Sequence, residues 1–368
     1  MTCTIETITT SDALAKLAPV WEQLVTRSGA THPFVTHEWM QSWWEAFGSQ
    51  SEMFILLVLA EGEPIAIAPL MRRSERLYGS RCQSLSFMAN DHTPRCDFIV
   101  GDRAAEAYEA IGNFLMTAQC DVVRLHNVPS TSTTLEELAS RASRFGYLVG
   151  SGRGAQSPVL PASASWDAYM ETLAPKRRWF LRNRLKRLSK LGNVTLETIS
   201  GGDDLAAALE DGFRLEAAAW KGAAGTAIQC DTNIREFYTI LAQRAANRGW
   251  LRLQFLKVDD KRIAFAYCLA FANRMFLLKP GFDPEFAAYS PGTLLAYLAL
   301  QELHTSGFLA YDFLGYGDEW KRQWTDHSIP HSTLFLYAKR PVTRLDHYTR
   351  FALMPRLRRA RNLVLGNA

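Results

Sequence analysis

In FRLEAAAWKG (Phe213–Gly222) a carboxylate, an indole and an ammonium group fall close together. On a helix Glu216 and Trp220 share a face, while Lys221 points well away from both. That spacing has two readings. Glu216 is a general base held against an apolar wall, with Trp220 and Lys221 lining a substrate pocket, or it is a solvent-edge residue shielding a core tryptophan. A second chemistry-bearing stretch is AYDFLGYGDEWKRQWTD (Ala310–Asp326). Asp312 lies within an apolar strand, where a buried carboxylate needs partners or a raised pKa. Gly315 and Gly317 let the chain turn sharply, and Tyr316 and Lys321 follow, the lysine a candidate to neutralise an oxyanion or a phosphate. The structural alternatives are an Asp312 that caps a neighbouring loop and a Lys321 solvated at an edge.

YSPGTLLAYLALQEL offers an anion site. Ser290 is expected as N-cap and Pro291 as the first helical residue, with the Gly292 and Thr293 N–H groups free at the helix start. The loop before it runs from Lys279, expected on the donor side, to Tyr289, expected toward the acceptor. Such a strand–loop–helix can hold a diphosphate by backbone donors and the helix dipole; an ordinary well-capped helix is the alternative. Nucleophile-elbow, zincin and phosphate-loop patterns are missing. The eight histidines are dispersed without metal-ligand spacing, so no metal site is expected. The two G-x-G triplets, Gly152–Gly154 and Gly315–Gly317, open no βαβ unit.

The elements that must position these groups read as two similar halves. A helix over Asp12–Arg27 and a second one capped by Thr36 and stopped at Gly48 precede a hairpin, Met53–Leu59 with Ile65–Met71. Further strands are expected at Ser84–Met88, Asp97–Val100 and Val122–Leu125, with helices at Ala104–Ala118 and Thr134–Phe145. The Gly-, Ser- and Pro-rich Gly150–Ser165 reads as the connection. Beyond it come a helix broken at Pro175, a basic helix ending at Gly192, a strand at Val194–Ile199, the FRLEAAAWKG helix, a helix over Asn233–Arg248 and three antiparallel strands in 251–278. The hairpin LAEGEPIAIA (59–68) matches KVDDKRIAFA (257–266) at an offset of 198, an internal repeat. The expected division is 1–155, 156–340 and a basic amphipathic segment, 341–368.

A chain of 368 residues, 48% hydrophobic and 21% charged, reads as two cored domains. Six cysteines without a C-x-x-C pair, no charged-then-apolar leader and no long apolar run point to a cytoplasmic protein with reduced thiols. The net charge of +4 is uneven. Lys176–Lys190 holds eight basic residues and no acid, and Arg340–Arg361 seven arginines against Asp346. Those clusters call for a localised anion: the phosphates of a nucleotide-like co-substrate, a lipid head group or, ranked last, RNA. Tyr348–Leu365 resembles an interfacial segment, which implies peripheral attachment to an anionic membrane.

Together HPFVTHEWMQSWWEAFG, FRLEAAAWKGAAGTAI, FYTILAQRAANRGW, the hairpin with RIAFAYCL and YSPGTLLAYLALQELHTSGFLAYDFLGYGDEWKRQW resemble the CelD/BcsL-type acetyltransferases of the GNAT superfamily, a group linked to bacterial cellulose synthesis and related in fold to the FemABX peptidyltransferases. The resemblance runs from about Thr31 to Leu336. It implies an α/β fold of two GNAT-like domains, each a mostly antiparallel sheet flanked by helices. It also implies acyl transfer from acyl-CoA to a small-molecule, lipid or glycan acceptor, such as a polysaccharide precursor or a sphingoid-type amine. In this scheme Glu216 or Asp312 takes the acceptor proton, and Tyr316 or Lys321 assists thiolate departure. Lys279, Ser290, Gly292 and Thr293 hold the donor, and Trp220, Lys221 and Tyr289 the acceptor. YSPGT stands where the GNAT pattern Q/R-x-x-G-x-G/A would fall. The alternatives are an aminoacyl-tRNA-dependent transferase and a non-catalytic partner of a polysaccharide-synthesis complex.

Overall fold

The computed structural model describes residues 3–118, 120–218, 227–357 and 359. The first half runs Cys3–Ile8 (β1), Ser11–Lys16 (α1), Ala18–Arg27 (α2), His37–Phe47 (α3), Glu52–Ala60 (β2), Glu63–Leu77 (β3), Ser80–Phe87 (β4), Ile99–Val100 (β5), Ala104–Thr117 (α4), Val122–Pro129 (β6), Thr134–Arg144 (α5) and Leu148–Pro161 (β7). The second runs Trp166–Thr172 (α6), Pro175–Leu188 (α7), Val194–Ile199 (β8), Leu205–Ala217 (α8), Thr232–Asn247 (α9), Leu251–Val258 (β9), Lys261–Phe271 (β10), Arg274–Phe282 (β11), Pro291–Thr305 (α10), Ala310–Asp312 (β12), Glu319–Arg322 (α11), Ser328–Tyr337 (β13) and Pro341–Tyr348 (α12). This is a mixed α/β fold, a large and mostly antiparallel sheet flanked by helices, in two similarly built halves.

Local chemistry explains most element boundaries. Thr36 caps α3, its Oγ1 accepting from the Trp39 N–H at 3.3 Å. The single helix expected over Asp12–Arg27 is split at Leu17, because Pro19 in the first turn of α2 cannot continue the hydrogen bonding of α1. The repeated hairpins share their turn: Glu61 (φ 57°) between β2 and β3, and Asp259 (φ 50°) between β9 and β10, are both left-handed. Two-residue hairpin loops favour that conformation because it matches the twist of the flanking strands.

The sheet order is β1-β2-β3-β4-β6-β13-β7-β12-β11-β10-β9-β8, with β5 on β3. Each half therefore gives its last strand to the other. β13 lies against β6 of the first half, β7 lies against β12 of the second, and β13 and β7 pair with each other from Ser328↔Pro158 to Tyr337↔Leu148. The expected connection Gly150–Ser165 is thus largely the strand β7. Its glycines serve close packing: a Cβ at Gly150 would run into the Phe351 ring, and one at Gly154 would lie 3.1 Å from the His331 backbone.

The two sheet faces are covered differently. On one face α2 and α3 of the first half meet α8 and α9 of the second in a shared core, with Trp39 5.2 Å from Phe237 and Phe34 5.6 Å from Phe276, ring to ring. On the other face each half keeps its own core, under α4 and α5 in the first and under α6, α7 and α10 in the second. Trp21, Trp39 and Trp43 are fully buried in the shared core, so these large side chains weld the halves and do not wall a cleft.

α8 crosses β11 at backbone contact, with the Glu216 N and Leu215 O both 2.6 Å from where a Cβ on Gly281 would stand. Nothing flexible can move aside there. Gly281→Ala is expected to cost about 1–3 kcal/mol, measured as a lowered unfolding midpoint in denaturant; an unchanged midpoint would mean that the helix does not press on the strand.

Candidate functional site

β11 and β12 are parallel neighbours for only three residue pairs, Arg274↔Ala310, Met275↔Tyr311 and Phe276↔Asp312. β12 then stops and β11 continues to Phe282, so among the described residues no strand pairs with Leu277–Phe282 on that edge. A bulge between Tyr267 and Cys268 in the pairing with β10 lies beside the same stretch. The stop at β12 has a cause. Leu314 (φ 53°) and Gly315 (φ 61°) are both left-handed, which turns the chain off the sheet. Lys321 holds the turn, donating to Leu314 O at 3.0 Å and Tyr316 O at 3.1 Å and pairing with Asp318 at 2.9 Å. All three ammonium hydrogens are thereby engaged within the chain. The Tyr316 side chain projects into solvent, 72% exposed.

The helix α10 begins beside this notch. Ser290 occupies the N-cap position but is itself left-handed (φ 58°, ψ 54°), and its side chain caps nothing, a departure from the expected capping serine. Its carbonyl accepts from the Thr293 and Leu294 N–H groups at 3.0 Å each. Pro291 has no N–H, which leaves the Gly292 N–H as the first-turn donor without a partner among the described residues. Tyr289 is half-buried below the Arg187 guanidinium, 5.6 Å from its ring, and Ala288 O accepts a hydrogen bond from Arg184. The basic helix α7 thus flanks the start of α10.

The opposite face of the notch is built from both halves. The loop between β4 and β5 crosses from the first half. Thr93 is fully buried and accepts from Trp39 Nε1 at 3.3 Å. His92 Nδ1 lies 3.3 Å from the Tyr238 hydroxyl of α9, and its ring stacks on Phe47. Lys279, expected in a loop, is a residue of β11, its ammonium 5.4 Å from the Tyr238 ring centre. Burial first, then the Lys279 charge, lower the His92 pKa to about 4, so its imidazole is neutral at pH 7. Glu216, whose side chain is fully buried on α8, accepts from the Ile228 N–H at 2.9 Å through Oε2. Trp220 and Lys221 lie outside the described residues.

Arg95 of the same loop reaches the tip of β12. Its Nη2 pairs with Asp312 Oδ2, and its Nε donates to His331 Nε2 at 3.1 Å. Asp312 Oδ1 accepts from the Leu314 N–H at 3.0 Å. Burial pushes the Asp312 carboxyl up while Arg95 works against that shift. Because Nε2 of His331 accepts, its Nδ1 must carry the hydrogen given to Ala155 O at 3.1 Å. His32 lies within the field of Arg95, stacked on Phe34, with Nδ1 buried and unpartnered among the described residues. Arg95, Asp312, His331 and His32 are each at least nine-tenths buried. Asp312 is therefore an ion-pair partner inside the molecule, and the two carboxylates singled out by the sequence are enclosed on different elements.

The residues that sequence reasoning missed are His92 and Arg95. The repeat held a usable signal: β4 and β6 make a three-pair parallel contact like that of β11 and β12, so the loop after β4 corresponds to the loop after β11. Among the described residues no group of three or more His, Cys, Asp or Glu is placed to hold a metal ion, and no helix is long and apolar enough to cross a membrane.

A family model described as an acetyltransferase (GNAT) domain matches residues 175–322, from the start of α7 through α11. That stretch, most of the second half, is thus similar to a GNAT acetyltransferase domain, a class that generally binds acyl-CoA. No curated protein matches the sequence. Among solved structures the chain is similar to FemX, at TM-score 0.58 and 13% identity over 94% of this chain and 99% of that one. It is similar also to a conserved protein of unknown function from Bacteroides thetaiotaomicron, at TM-score 0.56 and 11% identity over 91% and 100% of the two chains. A third likeness is to the C-terminal domain of a protein assigned as a lysylphosphatidylglycerol synthetase from Agrobacterium fabrum, at TM-score 0.52 and 12% identity over 90% and 94%. At these identities the shared property is the fold.

The buried histidines make a pH prediction. Beside Arg95, burial lowers His32 to about 3 and His331 to about 4, against about 6.5 in the unfolded chain. The unfolded chain then binds more protons as pH falls below about 6.5, so stability present above that pH is lost progressively toward pH 4. The slope should be about 1.4 kcal/mol per pH unit for each histidine. Denaturant midpoints across pH 4–7 measure it. His331→Gln keeps an acceptor for Arg95 and a donor for Ala155 and should remove one histidine's share; an unchanged slope would contradict the assignment.

Proposed function

We propose that this chain is an acyltransferase of the CelD/BcsL type, which moves the acyl group of a thioester such as acyl-CoA directly to an amine or hydroxyl of an envelope, polysaccharide or lipid precursor. The observation that carries the reading is the three-pair parallel contact between β11 and β12, with the start of α10 on one face and the crossing loop with His92 on the other. The gap admits a thioester edgewise. A backbone N–H of β11 beyond the end of β12 donates to the carbonyl oxygen as it becomes an oxyanion. The Gly292 N–H and the dipole of the fifteen-residue α10 receive the diphosphate. The name lysylphosphatidylglycerol synthetase on one similar structure supports a lipid or envelope acceptor.

The acceptor enters on the α8–α9 face. With Nδ1–H donated to the Tyr238 oxygen, His92 Nε2 presents a lone pair to the cleft and takes the acceptor proton as the new C–N or C–O bond forms. The C–S bond breaks as the oxyanion collapses, and the thiolate takes a proton from the Tyr316 hydroxyl or from water. Burial, and after it the Lys279 charge, keeps His92 neutral until transfer. In this scheme Glu216 and Asp312 brace the site, Glu216 by fixing the Ile228 backbone and Asp312 by anchoring Arg95, and Lys321 shapes the turn.

Two variants test it. A Cβ at Gly292 meets only Phe282, at 3.6 Å, and an acidic residue suits a helix N-terminus, so Gly292→Asp should fold normally while repelling the diphosphate. Calorimetric titration with acetyl-CoA and palmitoyl-CoA should show micromolar binding to the parent chain and at least roughly tenfold weaker binding to this variant. Equal affinity would move the donor elsewhere. His92→Ala should lower kcat by about 10²–10⁴ with donor affinity unchanged; full turnover would remove His92 from the reaction.

A further inference from the structure

α7 carries seven basic residues in fourteen, and among the described residues none has a carboxylate within 4.0 Å. Six of them, all but Lys176, divide into two sets. Arg177 lies over Phe180 and Trp324, Arg184 over Phe180 with its bond to Ala288 O, and Arg187 over Tyr289. These three are committed to aromatic rings of the protein, Arg184 and Arg187 beside the start of α10. Arg178, Arg182 and Lys186 have no hydrogen-bond, ion-pair or ring partner among the described residues and recur every four residues, about one helical turn apart. At 100° per residue their stripe faces away from Arg184 and Arg187 by more than a quarter turn.

Trp179 stands in that stripe with 65% of its surface in solvent. The described residues around it, Pro175, Arg178, Trp179, Arg182, Asn183 and Lys186, line a shallow concavity of about 510 Å³. The apolar side of the helix, Leu181 and Leu188, is already buried in the protein, so α7 is not free to insert as an amphipathic helix. What it presents is a row of cations unpaired among the described residues, with an indole at the edge of its N-terminal end. An indole prefers the head-group level of a bilayer, and cations held beside it meet lipid phosphates. A single-stranded nucleic acid would be gripped by successive aromatic platforms, and this stripe has one.

We propose that the Arg178–Trp179–Arg182–Lys186 stripe of α7 is a docking surface for anionic phospholipid membranes, with Trp179 at the head-group level. The docked orientation leaves the opposite side of α7, and the donor site it flanks, clear of the bilayer. This holds whether or not the acyl-transfer reading is right.

The test is co-sedimentation of the full chain with phosphatidylglycerol–phosphatidylcholine vesicles and with pure phosphatidylcholine vesicles, at low and high salt. Binding should require phosphatidylglycerol and weaken with salt. Arg178→Gln, Arg182→Gln and Lys186→Gln together should weaken it about a hundredfold, roughly fivefold per charge. Trp179→Ala, a change at an exposed side chain that spares the fold, should weaken it several-fold. The control removes three exposed charges elsewhere, Lys16, Arg76 and Arg81 to Gln, and should bind as the parent does. Equal loss in both triple variants would reduce the effect to net charge and overturn the docking surface. Absence of vesicle binding, or binding of tRNA instead that the α7 variant abolishes, would overturn it too.

Discussion

The exchange of terminal strands governs the rest of this structure. Pairing β7 with β12, and β13 with β6, satisfies the backbone groups that either half would otherwise leave at an open sheet edge. It also fixes where the halves meet. Because β7 pairs with β12 only through Val159–Pro161 and with β13 before that, the second half's sheet narrows to three residues at β12. The notch beside β11 is the direct result. So is the landing of the first half's β4–β5 loop on that notch, since the shared tryptophan-rich core holds α3 and α9 together on the same face.

Charge placement follows from the same constraint. Bringing Arg95 across to Asp312 buries an ion pair whose desolvation penalty is several kcal/mol per ion. The pair is tolerable because the remaining valences are filled, by the Leu314 N–H on the carboxylate and by His331 on the guanidinium. Such a pair contributes more to register than to stability: it sets the crossing loop against the tip of β12 and so places His92 beside Tyr238. Lys321, with three acceptors of its own, performs the same service for the turn that ends β12. The carboxylates and the lysine singled out in the sequence are buried and hydrogen-bonded within the frame, and the half-buried imidazole of His92 sits between the Tyr238 hydroxyl and the Phe47 ring.

Much of this frame is legible in the sequence. The turn pair Glu61 and Asp259 reveals the repeat, Thr36 and Pro175 mark helix starts, and the apolar alternation of 251–278 gives three strands. The element hidden in plain view is β7. Its Gly150, Gly152 and Gly154 have the composition of a linker, yet their small size admits the Phe351 ring and the His331 backbone. Ser290 misleads in a similar way, as its residue type suits a cap but its left-handed backbone turns the hydroxyl away. His92 and Arg95 could not be read from local pattern, because their partners Tyr238 and Asp312 are 146 and 217 residues distant and only the strand exchange brings them near.

The central claim is that the second half holds the acyl donor and the first half lends the residues that complete the site. A structure determined with a non-hydrolysable acyl-CoA analogue bound tests it most directly. The account predicts the diphosphate at the Gly292 N–H, the thioester carbonyl beside β11 beyond the end of β12, and His92 facing the reacting carbon. Density for the analogue in the corresponding gap between β4 and β6, at the start of α4, would contradict it.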